Sequence, residues 1–164
     1  MSDVFPEWKR REIMSRVRNK DTRAELIVRS ILHRLGFRFR LHRSDLPGSP
    51  DIVLPRYRTA IFVHGCFWHG HDCPRGKLPM RNRSFWEAKI LRNRQRDREA
   101  IQALAALGWR TIVIWSCRLS SQIKTVELAH ELYRTLTTQA LPGGRSEEIM
   151  SALRARKAPA HPTR

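Results

Sequence analysis

The chain has 164 residues, enough for one domain with a sizeable core and no need of disulfide staples. Its 41% hydrophobic content predicts a folded body, while 32 Lys plus Arg against 15 Asp plus Glu leave a formal charge of +17 at pH 7. No run of 18 apolar residues occurs, which argues against a transmembrane helix, and MSDVFPEWKRRE lacks the apolar stretch of a signal peptide.

The arginines are spread through predicted structured segments. The charge therefore points to nucleic acid ahead of a merely solvated surface or an anionic membrane. Three cysteines, an odd number in a chain of cytoplasmic character, argue against a disulfide framework and toward a metal or free thiols.

The first predicted element is a short basic helix over Trp8 to Val17, carrying Met14. In DTRAELIVRSILHRLGF, Thr22 and Glu25 have capping-box spacing, Ile27, Ile31 and Leu35 recur every four residues, and Gly36 suits a left-handed cap. Phe37, Phe39 and Leu41 alternate with arginines, which predicts a half-buried strand. DIVL and TAIFV read as two more strands around a PRYR turn, the second nearly all apolar and so central.

Ser84 and Glu87 repeat the capping-box spacing at the start of a long helix that ends at Gly108. Its apolar stripe is Ile90, Leu91, Ile101, Leu104 and Leu107. RTIVIWSC is a fourth strand and Ser121 to Leu136 a last amphipathic helix. The order predicts a mixed sheet flanked by helices. Residues 1–141 are expected to form one domain, with 1–20 as an N-terminal arm, and 142–164 a basic mobile tail.

The densest chemistry lies in VHGCFWHGHDCP, Val63 to Pro74. Cys66, His71 and Cys73 are spaced C-x4-H-x-C in one loop, and Cys117 follows a buried strand. Four such ligands suit a closed tetrahedral zinc site. The alternatives are a three-ligand site, or Cys117 as a small buried hydrophobe.

Asp51 opens a strand where a carboxylate could hold magnesium, an ion that needs few protein oxygens; at the turn after Pro50 it could equally be a turn residue. IFVHG stands where a second acid and a lysine would be usual in such a site. A nuclease would then rely on a main-chain carbonyl near Val63 and on histidine. His64 and His69 are the histidines left over, and Asp97 is a candidate to orient His69. Against this, Asp97 also reads as an exposed helix charge, and Glu25 as the capping box itself. Phe67 and Trp68 read either as core or as a rigid platform that unstacks bases, with Trp86 and Met14 as companions.

Taken together, MSRVRNKDTRAE, LPGSPDIVLPRYRTAIFVHGCFWHGHDC, FWEAKILRNRQRDR and LGWRTIVIWSC resemble the very-short-patch repair (Vsr-type) DNA mismatch endonucleases, over roughly Arg11 to Leu136. The resemblance implies an α/β restriction-endonuclease-like core with a structural zinc site. It also implies magnesium-dependent, strand-specific nicking of duplex DNA 5′ to the T of a T·G mismatch left by deamination of 5-methylcytosine.

Carried over by position, Asp51 and the Val63 carbonyl would hold magnesium. His69 would be the general base oriented by Asp97, with His64 and Glu25 organising metal-bound water and phosphate. Cys66, His71, Cys73 and Cys117 would hold zinc. Phe67, Trp68 and Trp86 would enter the stack from the major groove and Met14 from the minor, while Lys89 and Asn93 would contact the mismatched pair. A monomer in a bacterial cytoplasm, associated with the nucleoid, is implied, with room for a mismatch-repair protein as partner.

Two positions depart from the family pattern. Val63 stands where threonine is common, which a main-chain ligand tolerates, and Gly70 stands where histidine is frequent and is expected to loosen the loop. The competing readings are a restriction-type or mobile-element nuclease of the same fold, and a zinc-stabilised DNA-binding module without catalysis.

Overall fold

The computed structural model describes residues 8, 9, 12 and 20–138. The expected helix around Met14 and the tail 142–164 lie outside the described residues.

Helix α1 spans Arg23–Arg34. Its capping box is complete: the Thr22 hydroxyl accepts from the Glu25 N–H, and the Glu25 carboxylate accepts from the Thr22 N–H. At its other end Gly36 takes φ +82°, Gly36 N–H donates to His33 and Phe37 N–H to Leu32, a full Schellman closure.

That closure corrects the strand expected from Phe37 to Leu41. Phe37 is a cap residue, buried edge-on to Tyr57 with ring centroids 5.3 Å apart. Only Arg40–Leu41 pair as a strand, β1.

Strands β2 (Ile52–Leu54) and β3 (Thr59–His64) form an antiparallel pair with Ile52 opposite Ile61. A single 3-10 turn over Pro55–Tyr57 joins them. Helix α2 (Arg83–Ala106) then carries the chain across to β4 (Arg110–Trp115), which lies parallel to β3 with Val63 opposite Ile114. Helix α3 (Gln122–Thr137) follows, capped by the Ser121 side chain. The sheet order is β1-β2-β3-β4, mixed as expected.

Alternation along the strands sends neighbouring residues to opposite faces. Ile52, Leu54 and Ile61 pack with Ile114 under α1 and α3, where Val28, Leu32, Leu128, Leu132 and Leu136 meet them. Val53, Ala60 and Phe62 face α2, where they meet Leu104, with Leu46 of the loop before β2 beside them.

Helix α2 departs from expectation at two points. It starts at Arg83 after a left-handed Asn82 with no side-chain cap, and Glu87 is taken by the Arg83 guanidinium at 2.8 Å, so the Ser84–Glu87 box does not form. Ile90 and Leu104 are buried along it, whereas Leu91 (63% exposed) and Leu107 (53% exposed) face outward. The helix leans on the sheet along a narrow line, and its remaining surface is left for other work.

Candidate active site

Because β3 and β4 run parallel and end level, with His64 opposite Trp115, the segments that follow leave from the same sheet end. The first, residues 65–73, folds back on itself through His69 N–H to Gly65, His71 N–H to Cys66 and Cys73 N–H to His71. The second is the 3-10 turn Ser116–Leu119.

Cys66, His71, Cys73 and Cys117 meet between them, with one donor atom from each within 4.8 Å of all the others. Cys117 Sγ lies 3.5 Å from His71 Nδ1. Tetrahedral zinc with ordinary Zn–S and Zn–N bonds would separate such atoms by about 3.5 Å, so the donor set fits.

The thiols are electrostatically unequal. Burial raises Cys66, but hydrogen bonds from Ser116, the Cys117 main chain and the neighbouring thiols outweigh it and leave the group below its ordinary value. Burial and the adjacent Cys66 push Cys117 up to about 11. Four unequal thiol and imidazole donors this close favour a shared cation, which takes the place of their protons. The His71 ring also stacks on Trp115, centroids 4.3 Å apart, which fixes its orientation.

On the other side of the loop lies a cleft of about 1350 Å³ lined by Glu25, His42, Asp51, Val63, His64, Trp68, His69, Lys89, Asn93, Arg96 and Asp97, among others. His69 Nδ1 lies 2.6 Å from Asp97 Oδ2. An ionised carboxylate can only accept, so Nδ1 is the donor, and a neutral ring held this way carries its lone pair on Nε2. The His64 ring stacks on His69 with centroids 3.8 Å apart and planes nearly parallel. Burial, then the proximity of His69, hold His64 down to about 4 despite the opposing pull of Asp97, so His64 is neutral near pH 7.

Asp51 accepts the Val63 N–H at 2.7 Å, its carboxylate taking over where the β2–β3 ladder stops. Burial first, then Glu25, raise the Asp51 carboxyl above its usual range, against the Val63 bond and the charges of His42 and Arg29. A desolvated carboxylate is one that a hard cation would relieve.

Glu25 is 2% exposed and serves two purposes at once. Its capping bonds pin it in the cleft wall, and Arg29 pairs with it at 2.9 Å. Arg29 also pairs with Asp21, and His42 Nε2 lies 2.9 Å from the same guanidinium. Asp21, Arg29 and His42 were not singled out in the sequence. Arg29 sits four residues beyond Glu25, a spacing that could have flagged it.

Phe67, Trp68 and Trp86 form a half-buried aromatic cluster with centroids 5.0 to 6.0 Å apart. The Lys89 ammonium lies over both tryptophans, at 5.4 and 5.8 Å. Asn93 donates to the Trp68 carbonyl at 2.7 Å, which ties one amide proton to the loop. Met14 lies outside the described residues. No helix among them is long and apolar enough to cross a membrane.

Comparison with known proteins identifies the family. Residues 2–75 match the family described as DNA mismatch endonuclease Vsr. The type II nicking enzyme V.XorIIP of Xanthomonas oryzae pv. oryzae is 55% identical over 120 residues, covering 73% of this chain and 88% of that protein. The DNA mismatch endonuclease Vsr of Escherichia coli is 40% identical over 129 residues, covering 79% and 83%. The type II nicking enzyme V.NmeAIP of Neisseria meningitidis is 39% identical over 136 residues, covering 83% and 97%. With relatives this similar over most of both chains, the reading as a binding module without catalysis falls away: the chain belongs to the Vsr family of DNA mismatch endonucleases, and is an enzyme.

Proposed function

We propose that this enzyme nicks one strand of duplex DNA 5′ to the T of a T·G mismatch, using magnesium, and so initiates very-short-patch repair of deaminated 5-methylcytosine. The observation that carries the reading is the His69–Asp97 pair at 2.6 Å, opening onto the same cleft as Asp51.

His69 Nε2 takes the proton of the attacking water, and Asp97 holds the ring in the required tautomer. Asp51 and the Val63 carbonyl are the protein ligands for magnesium, which when bound supplies charge for the phosphodiester oxygens. His64, neutral and stacked, keeps the imidazole in place without adding a second positive charge, and with Glu25 it orders water and phosphate. Lys89 and Asn93 face the mismatched pair, and Phe67, Trp68 and Trp86, with Met14 on the opposite groove, wedge the stack. Unstacking is least costly at a mismatch, so the wedge favours damaged sites.

Cys66, His71, Cys73 and Cys117 hold zinc and keep the loop rigid. The mixed sheet is read as a restriction-endonuclease-like core formed by residues 1–141 acting as a monomer, with 142–164 as an appended tail.

The names of the relatives sharpen the test, since several are called nicking enzymes without mention of a mismatch. Matched and T·G duplexes of one sequence should be incubated with full-length protein and magnesium. Nicking of the T·G duplex only is expected, abolished in Asp51→Ala and His69→Ala with affinity within a few-fold. Equal nicking of both duplexes would overturn the mismatch reading, and wild-type rates in either variant would overturn the mechanism.

A further inference from the structure

Helix α2 grips the 65–73 loop at consecutive points. Asn93 holds the Trp68 carbonyl, and the Arg94 guanidinium donates from Nε to the His69 carbonyl at 3.2 Å and from Nη2 to the Gly70 carbonyl. Asp97, one helical turn further along, receives the His69 ring. His69 is thus held twice by one helix, by its main chain at Arg94 and by its imidazole at Asp97.

Gly70 makes this approach feasible. It has φ +63°, and a Cβ built there would lie 2.5 Å from Ile90 Cγ2 and 3.0 Å from Arg94 Nε. Gly70 was expected to loosen the loop; beside Arg94 it instead lets the loop close on α2, and a side chain here would require Ile90 and Arg94 to shift.

We propose that Arg94 is a positioning residue for nicking, matched to Gly70, which seats the loop on α2 so that His69 and Asp97 meet in register. The inference rests on the assignment of His69 as the base. Arg94 is exposed, and its guanidinium bonds run to the His69 and Gly70 carbonyls, so its contribution runs through the loop. A guanidinium offers two donors in a fixed fork, which suits two successive carbonyls; lysine offers a single point charge and can reach one of them.

The test uses full-length, metal-loaded protein and a T·G duplex, with single-turnover nicking and DNA affinity measured separately. Arg94→Ala and Gly70→Ala should each slow nicking about 10- to 100-fold, as misplacement of a reacting group does, with affinity within about twofold. Arg94→Lys should recover part of the rate. The two alanine changes should combine less than additively, because they disturb one contact.

Arg98→Ala removes the same charge from the same helix and should nick at the wild-type rate. An equal loss in Arg98→Ala, or a parallel loss of affinity in Arg94→Ala, would make Arg94 an ordinary phosphate contact and overturn the proposal. Wild-type nicking by Arg94→Ala while His69→Ala is inactive would overturn the clamp alone. Activity in His69→Ala would instead remove the base assignment on which it rests.

Discussion

The two faces of the sheet are built in different ways. Under α1 and α3 the interior is apolar and continuous, from Val28 and Leu32 through Ile61 and Ile114 to Leu132 and Leu136. Under α2 it shrinks to Leu46, Val53, Ala60, Phe62 and Leu104, with Ala100 and Trp109 beside them. Apolar packing stabilises the first face. The second gives up that area for a cleft of about 1350 Å³ and holds its walls by hydrogen bonds, ring stacking and a Cys/His cluster. Apolar packing thus concentrates under α1 and α3, while the cleft opens along α2 and takes Glu25, at the start of α1, as its opposite wall.

The sharpest break between the faces should come from Asp97→Asn. It preserves shape but removes the charge and brings in an amide donor that can face Nδ1 and favour the wrong His69 tautomer, so nicking should fall about 10²- to 10⁴-fold. Thermal unfolding should barely move, since the thick face is untouched. A large drop in Tm would show that Asp97 belongs to the architecture and would blur the division.

The next effect should come from the Cys/His cluster, where ligands stand in for apolar area. Cys117→Ser should take zinc content below one per chain by metal analysis. A metal present at about a thousandfold above its Kd contributes about 4 kcal/mol, and each kcal/mol moves Tm by roughly 2–4 °C in a chain this size, so a fall of roughly 8–16 °C is expected. An unchanged Tm would place no stabilising role on the cluster.

The smallest effect concerns acid. His64 is depressed from 6.5 to about 4, chiefly by burial, so between those values the unfolded chain binds a proton that the folded one does not. The stability due to neutral His64 is complete above pH 6.5 and lost as pH falls toward 4, about 3 kcal/mol in all. Asp51, raised by burial, has the opposite sign: its contribution is present at low pH and lost as pH rises through its folded value. Urea unfolding of His64→Gln should show a flatter slope than wild type between pH 6.5 and 4. Parallel slopes would mean that His64 is protonated within the fold.

Much of this organisation was legible in the residues. The Thr22–Glu25 box, the paired strands around PRYR, and the crowded ligands of Val63 to Pro74 each rest on local chemistry, and each appears where expected. What stayed hidden was decided by partners distant in sequence. Phe37 alternates like a strand residue, but the Schellman closure and the Tyr57 ring claim it. Glu87 has the spacing of a cap, but Arg83 takes its carboxylate. Leu91 looks like part of a buried stripe, but α2 meets the sheet along a line too narrow to include it. Arg94 gave no signal, because one arginine among several in RNRQRDRE looks like solvated charge until the loop carbonyls are placed beside it.

The level ends of β3 and β4 carry a consequence for the order of folding. Cys66 and Cys117 lie 51 positions apart in the chain, at the ends of a parallel pair that needs the whole α2 crossover between them. Parallel, non-local pairing is slow to form, and a cation held by these two segments would need that pairing in place first, so its binding is expected late in folding. An interaction absent from the transition state leaves the folding rate unchanged and slows unfolding. A metal-loaded cluster would then act as a late-closing latch, prolonging the lifetime of the folded enzyme without speeding its formation.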